Sequence, residues 1–440
     1  MRLFSSPSEV GAQTGDAAWL HAMLDFESAL AGALADCGLA EATAAEEIAA
    51  ACGEDDWDLD ALGAGTAREG TPVPALLKQL RGKLSDEAKA GLHRGATSQD
   101  VVDTAAMLVA KQALAPLRAD LDAAADAAAG LAERHRTDLA VGRTLLQQAL
   151  PITFGLRAAN WLGGLDDAAT RLAAVEDRLA LQFGGAAGTL ASLGSDGPAV
   201  AKALADRLEL PVATTWHTNR SRIVELAAAL GQAAGAAGKV GTDIVLLAQT
   251  EVAEVAEGGE GGGSSTLPHK RNPAGAVTAV AAARRTPALV ATLFAAMPAE
   301  EERAAGAWQS EPEALDDLLR LTGAAVTAIR RTLGNLEVFP DRMRANLDLT
   351  AGLVMAESLA AALGKELGRS EAQRLVTEAS NRAAAEGRRL AEVAAEAPEI
   401  VAALGTDGIL AALDPASYLG ATDELIDRAL AAHHHRVNPR

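Results

Sequence analysis

The sequence predicts an all-α protein, on three observations. Alanine, the residue with the best intrinsic helix propensity, dominates the 440-residue chain. Apolar–polar alternation of the strand kind is almost absent. Apolar residues instead recur at alternating steps of three and four over unusual lengths, so that each run forms a stripe along one helix. Sustained seven-residue repeats of this kind imply near-parallel helices packed as a bundle.

Three stripes carry the expectation. The first runs through Met107, Ala110, Leu114, Leu117, Leu121, Ala124, Ala128 and Leu131. The second is Leu226, Leu230, Ala233, Ala237, Val240, Ile244 and Leu247; beside it Gly231, Gly235, Gly238 and Gly241 would let neighbouring helices approach closely. The third is Leu315, Leu319, Thr322, Val326, Ile329 and Leu333. A helix of about 35 residues is roughly 50 Å long at ~1.5 Å per residue, so the middle of the chain is expected to be a rod. Rods of this kind expose apolar surface and bury it by oligomerising.

Breaks are expected at three places. Residues 53–75 are acidic and rich in Gly and Pro, and read as loops. Residues 183–198 form a Gly-rich hinge between helices, and residues 258–273 interrupt the longest helical region. After about residue 350 the heptad register weakens into shorter helices. The expected domains are an N-terminal helical domain at 1–101, a central long-helix bundle at 102–350 and a C-terminal helical domain at 351–440.

Composition excludes several classes of function. With 39 basic and 59 acidic residues the chain carries −20 at pH 7 and repels phosphate backbones. Aromatic residues are only 3%, which leaves no stacking platform for single-stranded nucleic acid. Cys37 and Cys52 cannot build a disulfide framework or a four-ligand zinc site. No uninterrupted apolar run of ~18 residues is present and the N-terminus lacks a secretory apolar core, so the expectation is a cytoplasmic protein with no membrane partner. His433–His435 read as a charged C-terminal turn, because three adjacent residues cannot all face one ion on a helix. No metal and no cofactor is expected.

The chemistry concentrates at Gly261–Pro273, GGGSSTLPHKRNP. Glycines give the backbone freedom, Ser264 and Ser265 supply hydroxyls, and His269, Lys270 and Arg271 follow within a few residues. In so acidic a chain this combination suits capture of a multiply anionic small molecule. A P-loop is excluded, because the Gly-x-x-x-x-Gly-Lys-Ser/Thr spacing is missing.

The stretch GSSTLPHKRNP resembles the GSSxMPxKxNP signature of the fumarase/aspartase superfamily, with Leu267 in place of the usual Met. Two further regions are similar and stand in the family's order: His93–Asp100 (HRGATSQD), and Gly142-Arg143-Thr144 continuing to Pro151–Gly155. The resemblance implies three mostly helical domains. It implies a central domain giving five long helices to a twenty-helix core of a homotetramer, with each active site built from regions of three subunits. It also implies proton transfer at a carbon α to a carboxylate through an aci-carboxylate. Ser264 is then the proton-transfer residue, and Lys270 and Asn272 match carboxylate-binding positions of the loop, with Ser265 beside them.

Departures from the family pattern narrow the chemistry. Most lyases of the superfamily read Gly-Arg-Thr-His in the second region, and here Leu145 stands at the fourth position, where it cannot shuttle a proton. Arg68–Pro74 lack the His-Asp pair of adenylosuccinate lyases, and Val277 replaces a glutamate. Gly95–Ala105 (GATSQDVVDTA), the run Thr144–Pro151 containing Gln147, Trp216–Arg220 and the tail Asp414–Ala421 resemble instead the branch that closes a tricarboxylate diene to a γ-lactone. A fumarate-releasing lyase of the adenylosuccinate type is the alternative. In the lactone-forming reaction the nucleophile is a carboxylate already ionised at neutral pH, which needs no base. The expected substrate contacts are His93, Thr97, Ser98, Gln99, Arg143, Gln147, His217, Arg220, Ser265, Lys270 and Asn272. His217 and Arg220, just before a long helix, either bind an anion or cap that helix.

Overall fold

The three apolar stripes fold as helices Ser98–Arg134, Ser221–Leu247 and Glu311–Gly334, of 37, 27 and 24 residues. Every residue named in the stripes is buried. Each fully buried Leu or Ile contributes roughly 1.5–3 kcal/mol relative to exposure, so the stripes hold these helices in place. The structure is a computed structural model and describes residues 8–259, 262–263, 266–267 and 269–438. It is mostly helical. Among the described residues no single helix is long and apolar enough to cross a membrane.

The chain folds into two units, each assembled from three separated segments. Unit 1 comprises Met1–Asp122, Asp167–Gly238 and Thr278–Ala328; unit 2 comprises Ala123–Asp166, Lys239–Val277 and Ile329–Arg440. In unit 1, helix Asp16–Asp36 packs against Ala42–Cys52 and Gly197–Leu208 around Phe26, Leu30, Leu34 and Ile48. The Asp316 carboxylate fixes the start of the first of these, accepting from Gly15 N at 2.7 Å and from Trp19 Nε1 at 3.0 Å. Of the glycines on the second stripe, a Cβ on Gly231 would come within 2.8 Å of Val290, and one on Gly238 within 2.7 Å of Ala283. Those two sites are close approaches between helices; a Cβ on Gly235 would meet nothing within 4 Å.

Two features depart from the sequence reading. Residues 53–75 are not loop throughout, because Leu59–Glu69 is a helix and Val73–Gly82 begins another. Asp58 caps the first by accepting from Ala61 N at 2.9 Å, and Gly70 ends it in the left-handed conformation. Gly65, which reads as a breaker, lies where a Cβ would come within 2.4 Å of Ala75, so it serves helix packing. The second departure is strand. In unit 2, β1 (Leu139–Thr144) pairs antiparallel with β2 (Gln147–Thr153), and β3 (Val255–Glu257) with β4 (Leu336–Val338). Beyond them, helices Ala356–Leu367, Arg369–Glu386 and Pro398–Ala412 enclose a core of Leu359, Leu363, Val376, Leu390, Ile400 and Ile409.

Candidate active site

The residues marked by the sequence divide between the units. Unit 1 holds His93, Thr97, Ser98, Gln99, His217 and Arg220; unit 2 holds Arg143, Gln147, Lys270 and Asn272. Ser264 and Ser265 lie outside the described residues.

In unit 1, Thr97 and Ser98 are half-buried at the first turn of helix Ser98–Arg134. The turn is fixed from within. Asp100, fully buried, accepts from Thr97 N at 3.0 Å, the reciprocal half of a capping box. The same carboxylate accepts from Gly184 N and Gly185 N, each at 2.9 Å, from Gln182 Nε2 at 3.1 Å and from His217 Nε2 at 2.7 Å. His217 Nδ1 is buried with no hydrogen-bond partner among the described residues. One acidic side chain thus ties the helix start to the Gly-rich segment 183–198. The positive end of a long helix favours negative charge at this turn, and the buried Asp100 carboxylate takes the Thr97 N–H there.

Gln99 and Arg220 are engaged inside the unit. Gln99 donates to His217 O at 2.8 Å and to Asp103 Oδ2 at 3.1 Å, and accepts from Arg303 Nη1 at 3.0 Å. Arg220, 1% exposed, donates to Asp103 at 2.8 and 2.9 Å and to Glu311 at 3.0 and 2.5 Å. Its Cζ lies over the Trp216 ring, 4.9 Å from the centroid, and Trp308 Nε1 donates to Asp103 Oδ1 at 3.0 Å. Burial alone would lower the pKa of the guanidinium, but the two carboxylates more than offset it and hold it above its ordinary value. Its donors are engaged by Asp103, Glu311 and the backbone carbonyls of Trp216 and His217.

In unit 2 the second region is a hairpin. Thr144 pairs with Gln147, which leaves Leu145 and Leu146 as a two-residue turn with φ of +52° and +64°. That is the geometry for which Asn-Gly is usual, and both leucines are solvent-facing, Leu145 at 96% exposure. Thr144 and Gln147 are exposed beside them. Arg143 points back from the strand to Glu254, which it grips at 2.6 and 3.0 Å. Glu254 is fully buried, accepts also from Asn346 Nδ2 at 2.8 Å, and lies 3.7 Å from Arg157 Nη1. Burial lowers the pKa of Arg157, with Glu254 partly opposing the shift. A cleft of about 630 Å³ beside the hairpin is lined by Arg143, Thr144, Leu146, Arg157, Lys239 and Asp243, among others.

The signature loop is anchored at its ends. Asn272 donates from both its backbone N and Nδ2 to Gly262 O, each at 2.8 Å. Gly262 has φ of +68°, and a Cβ there would come within 2.1 Å of Asn272 O, so only glycine fits. Arg271 reaches Glu337 at 3.2 Å. The Glu257 carboxylate accepts from Gly275 N at 2.9 Å and Ala276 N at 2.7 Å, which sets the start of helix Ala274–Ala283. Lys270 is exposed, and no ion-pair partner for it is found among the described residues. The anchors Asp100, Glu254 and Glu311, which are buried, and Glu257 and Arg303, which are half-buried, escape sequence reasoning, because such a carboxylate or arginine is identified only by its partners. Among the described residues no group of three or more His, Cys, Asp or Glu could hold a metal ion.

The arrangement therefore offers a helix start with hydroxyls, an exposed lysine on an anchored Gly-rich loop, and an exposed hairpin tip with no titratable group at positions 144–147. A family model described as "Lyase" matches residues 7–286, and one described as "Adenylosuccinate lyase C-terminus" matches 352–429. The chain is 45% identical over 432 residues to the 3-carboxy-cis,cis-muconate cycloisomerase of Bradyrhizobium diazoefficiens, covering 97% of this chain and 96% of the relative. It is 42% identical over 435 residues to the nitrosuccinate lyase of Streptomyces davaonensis, covering 96% and 92%. The crystal structure of 3-carboxy-cis,cis-muconate lactonizing enzyme from Pseudomonas putida matches with a TM-score of 0.91 at 43% identity, covering 96% of each chain.

Proposed function

The chain belongs to the fumarase/aspartase superfamily of lyases, and from that premise we propose that it is a 3-carboxy-cis,cis-muconate cycloisomerase of protocatechuate (β-ketoadipate) catabolism. The observation that carries the reading is likeness to proteins of that activity along nearly the whole chain, in sequence and in fold. Leu145 supports it, since a reaction whose nucleophile is an ionised carboxylate has no need of a base at the hairpin tip.

The reaction adds one carboxylate oxygen of the substrate to a diene carbon, forming the γ-lactone C–O bond of 4-carboxymuconolactone. The electron pair displaced from the diene takes a proton at the adjacent α carbon. A trianion becomes a dianion, and one proton is taken up per turnover. Ser264 serves as the proton-transfer residue, its hydroxyl made more acidic by surrounding positive charge and N–H groups. Lys270, Asn272, Ser265, Thr97, Ser98, His93 and Gln147 bind the carboxylates. Gln99, His217, Arg220 and Arg143, already held by partners of their own, position those contacts from behind.

In this reading the protein is a cytoplasmic homotetramer. Its domains fall at 1–101, 102–350 and 351–440, the central one gives five helices to a twenty-helix core, and the active sites are shared between subunits. Exposed apolar positions such as Leu145, Val277 and Phe294 suit burial against other copies. A second reading, a lyase that releases a fumarate-type product, is favoured by the likeness to nitrosuccinate lyase. One experiment separates them. With 3-carboxymuconate the ultraviolet absorption of the conjugated diene should be lost, with one solvent deuterium placed beside a carboxylate of the lactone in deuterated water. Fumarate release from a succinyl adduct or nitrosuccinate, without loss of the diene, overturns the proposal.

A further inference from the structure

Gln147 and Gln148 are adjacent and chemically identical, yet they take opposite faces of the hairpin in unit 2. The ladder pairs Val141 with Pro151 and Arg143 with Gln148, so one residue of β1, Gly142, stands against two of β2, Ala149 and Leu150. That is a β-bulge. Its neighbours suit it: Pro151 brings no N–H to the ladder, and a Cβ on Gly142 would come within 3.1 Å of Leu150 O. In an unbroken strand, residues three apart face opposite sides. The extra residue instead puts Gln148 on the side of the buried Pro151, opposite Arg143, and leaves Gln147 opposite Thr144 on the exposed side.

Arg143 and Gln148, one cross-strand pair, converge on one circuit of hydrogen bonds. Gln148 Nε2 donates to Asn346 O, in the last turn of helix Pro340–Leu347, at 3.0 Å. Asn346, 1% exposed, donates from Nδ2 to Val252 O and to Glu254 Oε1, each at 2.8 Å, and Glu254 holds Arg143. The far side of the circuit is itself braced. Glu254 N donates to Leu247 O at 2.9 Å, Phe339 N donates to Glu254 O at 3.0 Å, and Arg342 donates to Glu251 O at 2.7 Å and Val252 O at 3.1 Å. Val141 packs beneath it with Leu347, Val354 and Met355. Gln148 Oε1 and Asn346 Oδ1 are buried with no hydrogen-bond partner among the described residues. Both side chains therefore act through their NH2 groups, which face only acceptors, and turning either amide over would set oxygen against oxygen.

We infer that Gln148 and Asn346 are positioning residues: with the bulge, they fix the hairpin so that Gln147 is presented to a carboxylate of the substrate. Neither touches substrate. The inference rests on the reading of Gln147 as a substrate contact. It ranks substitutions by their donors and not by their shape. Gln148→Glu is isosteric but brings an ionised acceptor against Asn346 O, whereas Gln148→Met removes the donor without adding an acceptor.

The test uses the full-length protein, with kinetics on 3-carboxymuconate and hydrogen exchange of the hairpin amides. Gln148→Met should lower kcat/KM about tenfold, mainly through KM, and Gln148→Glu about a hundredfold, the scale of a misplacement near 1 Å. Added to Gln147→Ala, Gln148→Met should cost nothing further, because it acts through Gln147. Exchange across residues 139–153 should quicken in both Gln148 variants and not in Gln147→Ala. Gln148 is half-buried, so its variants keep the test readable if Asn346→Asp, at a fully buried position, does not fold. Glu tolerated better than Met, full additivity with Gln147→Ala, or unchanged exchange in the Gln148 variants overturns the inference. Quickened exchange in a protein whose parent does not consume 3-carboxymuconate would uphold the bracing of the hairpin and overturn only the assigned reaction.

Discussion

Replacing Arg220 with methionine tests how much of the first region depends on the buried ion cluster. Arg220→Met keeps most of the volume beside Trp216 but removes the guanidinium donors to Asp103 and Glu311, leaving Asp103 only the neutral donors Gln99 and Trp308. Those carboxylates are 2% and 3% exposed and would be left without a cation. Breaking a buried pair by removing one partner costs about 3–5 kcal/mol. A cooperative unit of about 200 residues shifts Tm by ~2–4 °C per kcal/mol, so the expected fall is about 6–20 °C, read by calorimetry. The pH dependence gives the sign. Burial raises the Glu311 pKa above its ordinary value, more than Arg220 lowers it. A carboxyl raised on folding favours the native state below its unfolded pKa, and that advantage is lost as pH rises through the folded value. Without Arg220 the shift grows, so the deficit should be smaller at pH 5 than at pH 8. A Tm within 2 °C of the parent at both pH values would refute the argument, because the cluster would then be replaceable by apolar packing alone.

Lys270→Met should lower kcat/KM by the equivalent of about 2–4 kcal/mol without altering assembly, as expected for loss of a charge-assisted contact; near-parental kinetics would place the lysine outside the site. Alkylation at pH 8 should label Cys37, which is partly exposed, and spare Cys52, of which only about one thiol in 10⁴ is ionised at a pKa of about 12. Because the Cys52 thiol is raised on folding, its part in stability should be constant below its ordinary 9.0 and lost between there and about 12, visible as alkaline unfolding that Cys52→Ala softens. Replacing Leu145-Leu146 by Asn-Gly should relieve roughly 1–2 kcal/mol of backbone strain in the turn. If the tip docks on a second copy, the same change should weaken assembly in light scattering, and an unaltered mass distribution would remove that role.

What the sequence reveals and what it hides follow one physical rule. Helices with one apolar face repeat a local signal every turn, so the stripe from Met107 to Leu131 is readable and every member is buried. The hairpin is not readable in that way. Its turn is Leu145-Leu146 instead of Asn-Gly, and Pro151 sits within the second strand. Residues 53–75 mislead because Gly63, Gly65 and Gly70 signal breaks, whereas one of them packs a helix and another ends it. The first region's position was legible from GATSQD, yet its support was not. Arg220 meets Asp103 and Glu311 across 117 and 91 residues, and His93 meets Glu27 across 66. Pairings at that range leave no periodic trace in a single chain.

The interleaving of the two units has a consequence for how the protein is made. Unit 1 takes its last segment from Thr278–Ala328, so it cannot close until about three-quarters of the chain has left the ribosome. At ~5–20 residues per second, roughly 10–40 s pass between synthesis of Asp122 and of Ala328. Throughout that interval the apolar stripe from Met107 to Leu121 has been made, while the last segment of its own unit, with the buried Leu315, Leu319 and Val326, has not. Nascent chains therefore carry an uncovered hydrophobic seam, and yield during expression should depend on translation speed and on chaperones that bind such seams.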